Sequence, residues 1–423
     1  MLIRYFKETV VPLRNFFRGG VVAAEVVIVG GGYGGIRALE RLCDDGGVRV
    51  TLIDQNAYHY MQTEVYDFIA NKIDMSEMMV DLKSFCASFG SDRVRFVNAR
   101  VNGVDFDGKR VATAEASYAY DYLILAAGSR TYFPDFIPGL AEHAYGVKSI
   151  PSALALKQQF ESALFDRIAS QESACTTEAF NIVVGGAGLS GVEIAAEMAA
   201  FANAFYKKGN FGCRPLNVYL IDAYETVLYG MDPFLIQTAY DRLVSLGVKV
   251  WHNNRIAAVE ERTIVLEDGE TLPYEFMIFT GGIIASTLTR RLGLESNAKG
   301  HLEVRDTLQT VKYDNVFCIG DMADIRDERG ELLAPTAQLA ERSAEHAAGN
   351  IRRLMRGSAL RPFRPFLGGV MVALGGEYGA GVLPGGIRVK GYLAYLVKQA
   401  IFRFYKHPLR LRTAIGRIKR QDS

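Results

Sequence analysis

Residues 182–193 read "IVVGGAGLSGVE", and residues 26–35 read "VVIVGGGYGG". In both, a run of β-branched residues stops at a glycine cluster. A stretch with helical spacing then follows: "GIRALERL" after the N-terminal cluster, "GVEIAAEMAAFANAF" after the later one. Gly30, Gly32 and Gly35 hold the spacing G-x-G-x-x-G, and so do Gly186, Gly188 and Gly191. A glycine turn between strand and helix presents backbone N–H groups and the positive end of the helix dipole to an anion. This spacing is that of a dinucleotide pyrophosphate cradle. The chain encodes the cradle twice.

The residues after each turn extend the pattern. "VRVTLID" ends in Asp54, nineteen residues after Gly35, where a carboxylate can accept hydrogen bonds from a ribose diol. "LNVYLID" ends in Asp222, thirty-one residues after Gly191, and the insertion "YKKGNFGCRP" accounts for the longer gap. An acid there favours a free 2′-hydroxyl and repels a 2′-phosphate, so the second unit predicts NADH over NADPH.

Three further segments punctuate the chain. "YDYLILAAGSRTYFPDFIPGL" (120–140) and "YEFMIFTGGIIASTL" (274–288) are apolar strands ending in small residues, Gly128 in the first and Gly281 and Gly282 in the second. Small residues at a strand end let backbone approach a flat cofactor. "VKYDNVFCIGDMADI" (311–325) delivers Asp321 at a glycine turn, where an acid can hold a polyol chain. Each alone reads equally as a routine strand–helix loop; their order is the specific signal.

At 423 residues the chain is too long for one ordinary core, which implies two or three domains. With 49% hydrophobic and 22% charged residues it is globular in composition. Cys43, Cys86, Cys175, Cys213 and Cys318 are scattered and form no C-x-x-C pair, so neither a disulfide framework nor a zinc site is indicated, and a reducing compartment is expected. No stretch approaches the 18 uninterrupted apolar residues that mark a membrane-crossing helix. The start, "MLIRYFKETVVPLRNFFRGG", has no proper apolar region or small-residue cleavage site, so it reads as a short extension and not a secretory signal.

The succession of first glycine turn, "LILAAGS", second glycine turn, "TGG" and "CIGD" resembles the two-dinucleotide-binding flavoproteins, the pyridine-nucleotide oxidoreductases. Within them the chain looks most like a type II NADH:quinone oxidoreductase. "VTLIDQNAYHYMQTEVYDFIA", "PGLAEHAYGVKSIPSALALK" and "APTAQLAERSAEHAAGNI" resemble that family's loop after the first turn, its inter-domain segment and its quinone-side helix. The helix pattern is A-Q-x-A-x-Q; Ala337, Gln338 and Ala340 match it, and Arg342 replaces the second Gln. Thr63 and Glu64 stand where the family usually shows a Pro and an apolar residue.

The resemblance implies an α/β fold of two Rossmann-like dinucleotide-binding domains, the NAD domain inserted in the FAD domain. The expected boundaries are an N-terminal extension (1–24), FAD domain (25–150), NAD domain (151–275), second FAD part (276–387) and a C-terminal amphipathic membrane-surface segment (388–423). It implies a non-covalent FAD held by Gly30, Gly32, Gly35, Asp54, Gly128, Asp321 and Ala337. NADH would meet Gly186, Gly188, Gly191, Glu193, Asp222 and Gly282. Gln338 and Arg342 would border a quinone site and, with Glu193, make up the catalytic set; no metal is expected. Hydride transfer to a flavin needs no side-chain nucleophile, since the cofactors carry the chemistry.

Bland alternatives stand beside several of these residues. Glu193 could simply answer the dipole at a helix N-terminus. His59, in "NAYHY", reads more readily as a core or surface histidine than as a flavin contact. A helix beginning near Pro335 suits proline's preference for the first turn, and its N-terminal dipole would favour the pyrimidine edge of a reduced flavin.

Residues 388–423 carry ten Lys or Arg against one acid, a local charge of +9 in a chain of net +1, which leaves −8 elsewhere. Leu393, Leu396, Val397, Ala400, Ile401 and Phe404 share one helical face, with Lys398, Gln399, Arg403 and Lys406 opposite. Pro408 is expected to interrupt the helix, and Tyr392, Tyr395 and Tyr405 supply interfacial aromatics. The composition fits a helix lying in an anionic membrane surface; packing on a core or closing a homodimer would use the same stripe. Nucleic acid fits poorly, because nothing else is basic. The expected enzyme is thus peripheral on the cytoplasmic face of the inner membrane and passes electrons from NADH to a quinone without pumping protons. Its rivals are a sulfide:quinone oxidoreductase, which requires a cysteine pair at the flavin, another FAD-dependent NAD(P)H reductase, and a flavin redox sensor or subunit without turnover. No cysteine follows Cys318, and an intact second glycine turn has no purpose if sulfide is the donor.

Overall fold

Each glycine turn leaves the C-terminal edge of its own parallel sheet. The computed structural model describes residues 23–44, 47–169, 180–209, 216–365 and 368–421; the N-terminal extension up to residue 22, Cys175 and Cys213 lie outside them. The first sheet has the order Val316–Cys318, Tyr122–Leu125, Ala24–Val29, Val48–Asp54, Val94–Asn98, all parallel. The second repeats it as Ala144–Tyr145, Phe276–Phe279, Phe180–Gly185, Leu216–Ile221, Lys249–Trp251. The central strands "VVIV" and "IVVG" are buried throughout, as strands covered on both faces must be.

The second sheet therefore reaches past both ends of the 151–275 expected for the nicotinamide domain. Phe276–Phe279 pairs with the glycine-turn strand itself, and Ala144–Tyr145 pairs with Phe276–Phe279. A short antiparallel ladder, Ser129–Thr131 against Ile283–Ala285, joins the two halves.

The chain closes with an antiparallel sheet, Val370–Ala373, Gly379–Leu383 and Ile387–Gly391, and the helix Tyr392–Gln421. Here the structure departs from the sequence expectation twice. Pro408 does not interrupt the helix, which runs through it. The carbonyl deprived of its donor is that of Phe404, a residue 54% exposed, so water can serve it. Lys398 and Lys406 do lie opposite the apolar stripe, but that face is the buried one, with Ala394, Leu409, Thr413 and Gly416. Packing there is close: a Cβ on Gly416 would run into the carbonyl oxygen of Ser84, in the short helix Leu82–Ala87. Leu393, Leu396, Ile401, Phe404, Leu411, Ile415 and Ile418 point away from the body and are between 41% and 61% exposed. No helix among the described residues is long and apolar enough to cross a membrane.

Candidate functional site

The two glycine turns are constrained in the same way at each of their three glycines. Gly30 (φ +110°) and Gly186 (φ +100°) adopt a conformation costly for other residues. A Cβ on Gly35 would collide with the carbonyl of Gly30, and one on Gly191 with that of Gly186, so the third glycine serves helix–strand packing. At the middle glycines, Gly32 and Gly188, nothing lies within 4 Å of a built Cβ. No protein contact requires glycine there, and the backbone is left open to close approach from outside. Gly32 caps the helix Tyr33–Cys43 without any side-chain hydrogen bond, and neither this helix nor Leu189–Gly209 has an acid in its first turn. Both N-termini thus keep their donors and positive potential for phosphate.

The acids obey the same symmetry. Asp54 accepts the N–H of Gly31 at 2.6 Å and that of Asn56 at 2.7 Å. Asp222 accepts the N–H of Ala187 and, at 2.9 Å, that of Tyr224. A carboxylate has about four lone-pair sites, so each retains acceptor capacity for a ribose diol. Burial pushes the Asp54 carboxyl up, and its backbone hydrogen bonds oppose that shift.

The joining ladder brings the other predicted residues together. Ser286 N–H donates to Gly128 O at 2.9 Å, and Tyr132 N–H to Gly282 O at 3.1 Å, so the two small-residue strand ends share one ladder. Asp321 accepts from Ser129 Oγ at 2.7 Å and pairs with Lys148 at 3.2 Å. Sequence reasoning missed Ser129 and Lys148; no local motif marks either. Ala337 opens the helix Ala337–Met355, whose N-cap is Thr336, accepting from Leu339 N–H at 3.1 Å. Pro335 thus precedes the cap instead of occupying the first turn. Gln338 accepts the N–H of Gly368 at 2.8 Å, and Arg342, one turn on, pairs with Glu345 at 3.1 Å.

Glu193 is more than a helix-end acid. It is buried and accepts from Lys398 of the C-terminal helix and, at 3.0 Å, from Ala373 N–H. Burial raises its carboxyl, and Lys398 draws it back. One turn on, buried Glu197 takes Lys72 at 2.7 Å; Glu64, which replaces an expected apolar residue, takes Lys406 at 2.8 Å. Two lysines of the C-terminal helix therefore pair with buried carboxylates, Glu193 and Glu64. The spacing of Glu193 and Glu197 in an alanine-rich helix was a legible sign that both face one interior surface.

His59 is a core histidine. The carbonyl of Gly31, in the first glycine turn, can only accept, so His59 Nδ1 donates to it at 3.1 Å; Nε2 then accepts from Tyr405 Oη at 2.9 Å. Desolvation lowers the imidazole to about 4. The unfolded chain, with His59 near 6.5, binds more protons between those values. His59's contribution is therefore fully present above about pH 6.5 and is lost as pH falls through 4, about 3 kcal/mol in all. In urea titrations between pH 7 and 4, His59→Gln should flatten the acid loss of stability by that amount; parallel curves would contradict the neutral tautomer.

A family model for pyridine nucleotide-disulphide oxidoreductases matches residues 24–347. A type II NADH:quinone oxidoreductase of Haemophilus influenzae is 29% identical over 93% of this chain and 96% of its own length. One of Staphylococcus aureus is 28% identical over 85% and 90%. Among solved structures, NDH2 from Plasmodium falciparum in complex with NADH is similar at a TM-score of 0.83 and 18% identity, covering 94% of this chain and 98% of that one. The sulfide:quinone oxidoreductase of Aquifex aeolicus is similar at 0.77 and 20%, covering 92% of each. At such identities the structures speak to the fold alone. The family match spans both glycine turns and the acids beyond them, and the chain belongs to the pyridine nucleotide-disulphide oxidoreductase family.

Proposed function

We propose that this protein is a type II NADH:quinone oxidoreductase, taking reducing equivalents from NADH through a non-covalent FAD to a membrane quinone. The carrying observation is the duplicated turn in which Gly32 and Gly188 both face open space, with Gly128 and Gly282 on one ladder between them. Two nucleotides seated this way meet end to end. FAD, when bound, supplies the two-electron link between nicotinamide and quinone. The protein's part is to hold and orient. Gly30, Gly32, Gly35, Asp54, Gly128, Asp321 and Ala337 serve the flavin nucleotide, with Ser129 and Lys148 fixing Asp321. Gly186, Gly188, Gly191, Asp222 and Gly282 serve the nicotinamide nucleotide. Glu193, held by Lys398, borders their meeting point, and Gln338 and Arg342 border the acceptor.

Sulfide as donor has less support. Cys43, Cys86 and Cys318 are buried, and burial pushes every one of these thiols up, Cys43 to about 12, so none among the described residues is a ready thiolate. The outward apolar stripe of the C-terminal helix, flanked by exposed Arg403, Arg410 and Arg417, favours peripheral attachment to the cytoplasmic face of the inner membrane.

Stopped-flow absorbance tests the reading. NADH should bleach the flavin within the turnover time, and added quinone should restore it. A flavin that NADH leaves oxidised would point to a sensor or subunit. Asp222→Ala should narrow the preference for NADH over NADPH by roughly 1–3 kcal/mol. Equal use of both donors by the unaltered protein would remove Asp222 from the 2′-hydroxyl.

A further inference from the structure

The residue before the middle glycine of each turn is gripped at both its N–H and its carbonyl. Asp54 takes the N–H of Gly31 at 2.6 Å, and Asp222 takes that of Ala187. The carbonyls of the same two residues are held by different means. Ala187 O accepts the main-chain N–H of Leu228 at 2.8 Å. Gly31 O accepts from a side chain, Nδ1 of His59, at 3.1 Å. That both carbonyls find a donor has a physical reason. The Gly31 carbonyl and the Gly32 N–H belong to one planar trans peptide and point opposite ways. A donor that draws the carbonyl into the body therefore turns the Gly32 N–H outward, toward an anion at the helix N-terminus. Ala187 and Gly188 obey the same geometry.

His59 is itself set by the C-terminal helix. It is 1% exposed, and its Nε2 accepts from Tyr405 Oη at 2.9 Å, which places the ring proton on Nδ1. The ring of Tyr33, the residue after Gly32, meets His59 edge-on at 4.9 Å and Tyr405 at 5.1 Å between centroids. Its hydroxyl lies 2.8 Å from that of Thr63. The residues on both sides of Gly32 are thus fixed by the same two side chains, Gly31 through its carbonyl and Tyr33 through its ring.

We propose that His59 and Tyr405 are positioning residues for the flavin pyrophosphate. They aim the Gly32 N–H without touching the flavin, and they tie its retention to the C-terminal helix, whereas main chain aims the nicotinamide turn. This rests on the reading of the first turn as the FAD site.

The test follows FAD release from the flavin-loaded protein after dilution, read as the rise in free-flavin fluorescence. His59→Leu, which keeps bulk and removes the donor, should release FAD roughly tenfold faster, the scale of one lost hydrogen bond. His59→Asn, whose amide nitrogen stands about where Nδ1 does, should restore slow release. Tyr405→Phe, which keeps the ring and frees Nε2, should fall between the two. In all three the KM for NADH, measured on the flavin-loaded fraction, should stay at the unaltered value, an asymmetry that general loosening of the fold would not produce. Release from His59→Asn as fast as from His59→Leu would show that ring packing and not the donor matters, and would overturn the inference. So would release from Tyr405→Phe and His59→Leu at the unaltered rate while Gly32→Val loses its flavin, an outcome that leaves the FAD reading in place. Should His59→Leu fail to fold, His59→Asn and Tyr405→Phe decide: a faster Tyr405→Phe supports the inference and equal rates overturn it. Flavin kept by Gly32→Val would instead remove FAD from the first turn, and the positioning role with it.

Discussion

Gly32→Val should yield a folded but colourless protein. The backbone at Gly32 is ordinary (φ −77°, ψ −167°), nothing lies within 4 Å of a built Cβ, and no side-chain cap is lost. Valine can therefore fit the protein itself without strain, and it obstructs only what approaches from outside. A pyrophosphate pushed off those N–H groups loses charge-assisted hydrogen bonds, together roughly 3–6 kcal/mol, or a hundredfold to ten-thousandfold in flavin affinity. Gly188→Val is the matched control at the other turn: that protein should remain yellow and no longer bleach with NADH. The absorbance near the flavin bands, read against total protein, checks both. Full flavin occupancy in Gly32→Val would mean that FAD does not sit on the first turn.

Replacing Leu396, Ile401, Phe404 and Leu411 together with Gln should free the protein from anionic liposomes without loss of flavin. All four side chains are exposed and contribute to no buried face of the helix. Half-burying each in lipid is worth roughly 1 kcal/mol, so the set shifts partitioning by about a thousandfold, and salt does not mimic it. High salt should release the unaltered protein only in part, by screening the arginines. Deleting residues 392–423 should act differently. It strips Lys398 from Glu193 and Lys406 from Glu64 and bares the body surface that Ala394, Leu409, Thr413 and Gly416 cover. That truncation is expected to fold poorly and lose flavin, although it removes no glycine-turn residue. If the four-fold variant still co-sediments with liposomes, the stripe faces a partner other than lipid.

Much of this could be read from the chain. The two glycine triplets, their preceding β-branched runs and Asp54 and Asp222 are local signals. A strand–turn–helix–strand unit is built from residues close in sequence, and its chemistry requires particular residue types at fixed spacing. The order of the small-residue strand ends likewise gave the duplicated α/β architecture. The amphipathic stripe from Leu393 to Phe404 was visible at helical periodicity, and the structure leaves it facing outward.

What lay beyond the sequence shares one feature: it depends on partners distant in the chain. The second sheet reaches past residue 275 because Phe276–Phe279 pairs with Phe180–Gly185, nearly a hundred residues earlier. Lys148 meets Asp321 and Lys398 meets Glu193 across similar or greater separations, and no local pattern distinguishes a lysine destined for a buried carboxylate from one destined for water. Pro408 misled because propensity speaks for an isolated helix, whereas packing of Leu409, Thr413 and Gly416 on the body holds this one through the missing hydrogen bond. The sequence determined which turns could bind a nucleotide, because that depends on backbone freedom and charge within a few residues. Only the tertiary structure decided how the two units are joined, through Ser129–Thr131 and Ile283–Ala285, and which cations are buried, because those depend on desolvation and contact between segments that the linear order keeps apart.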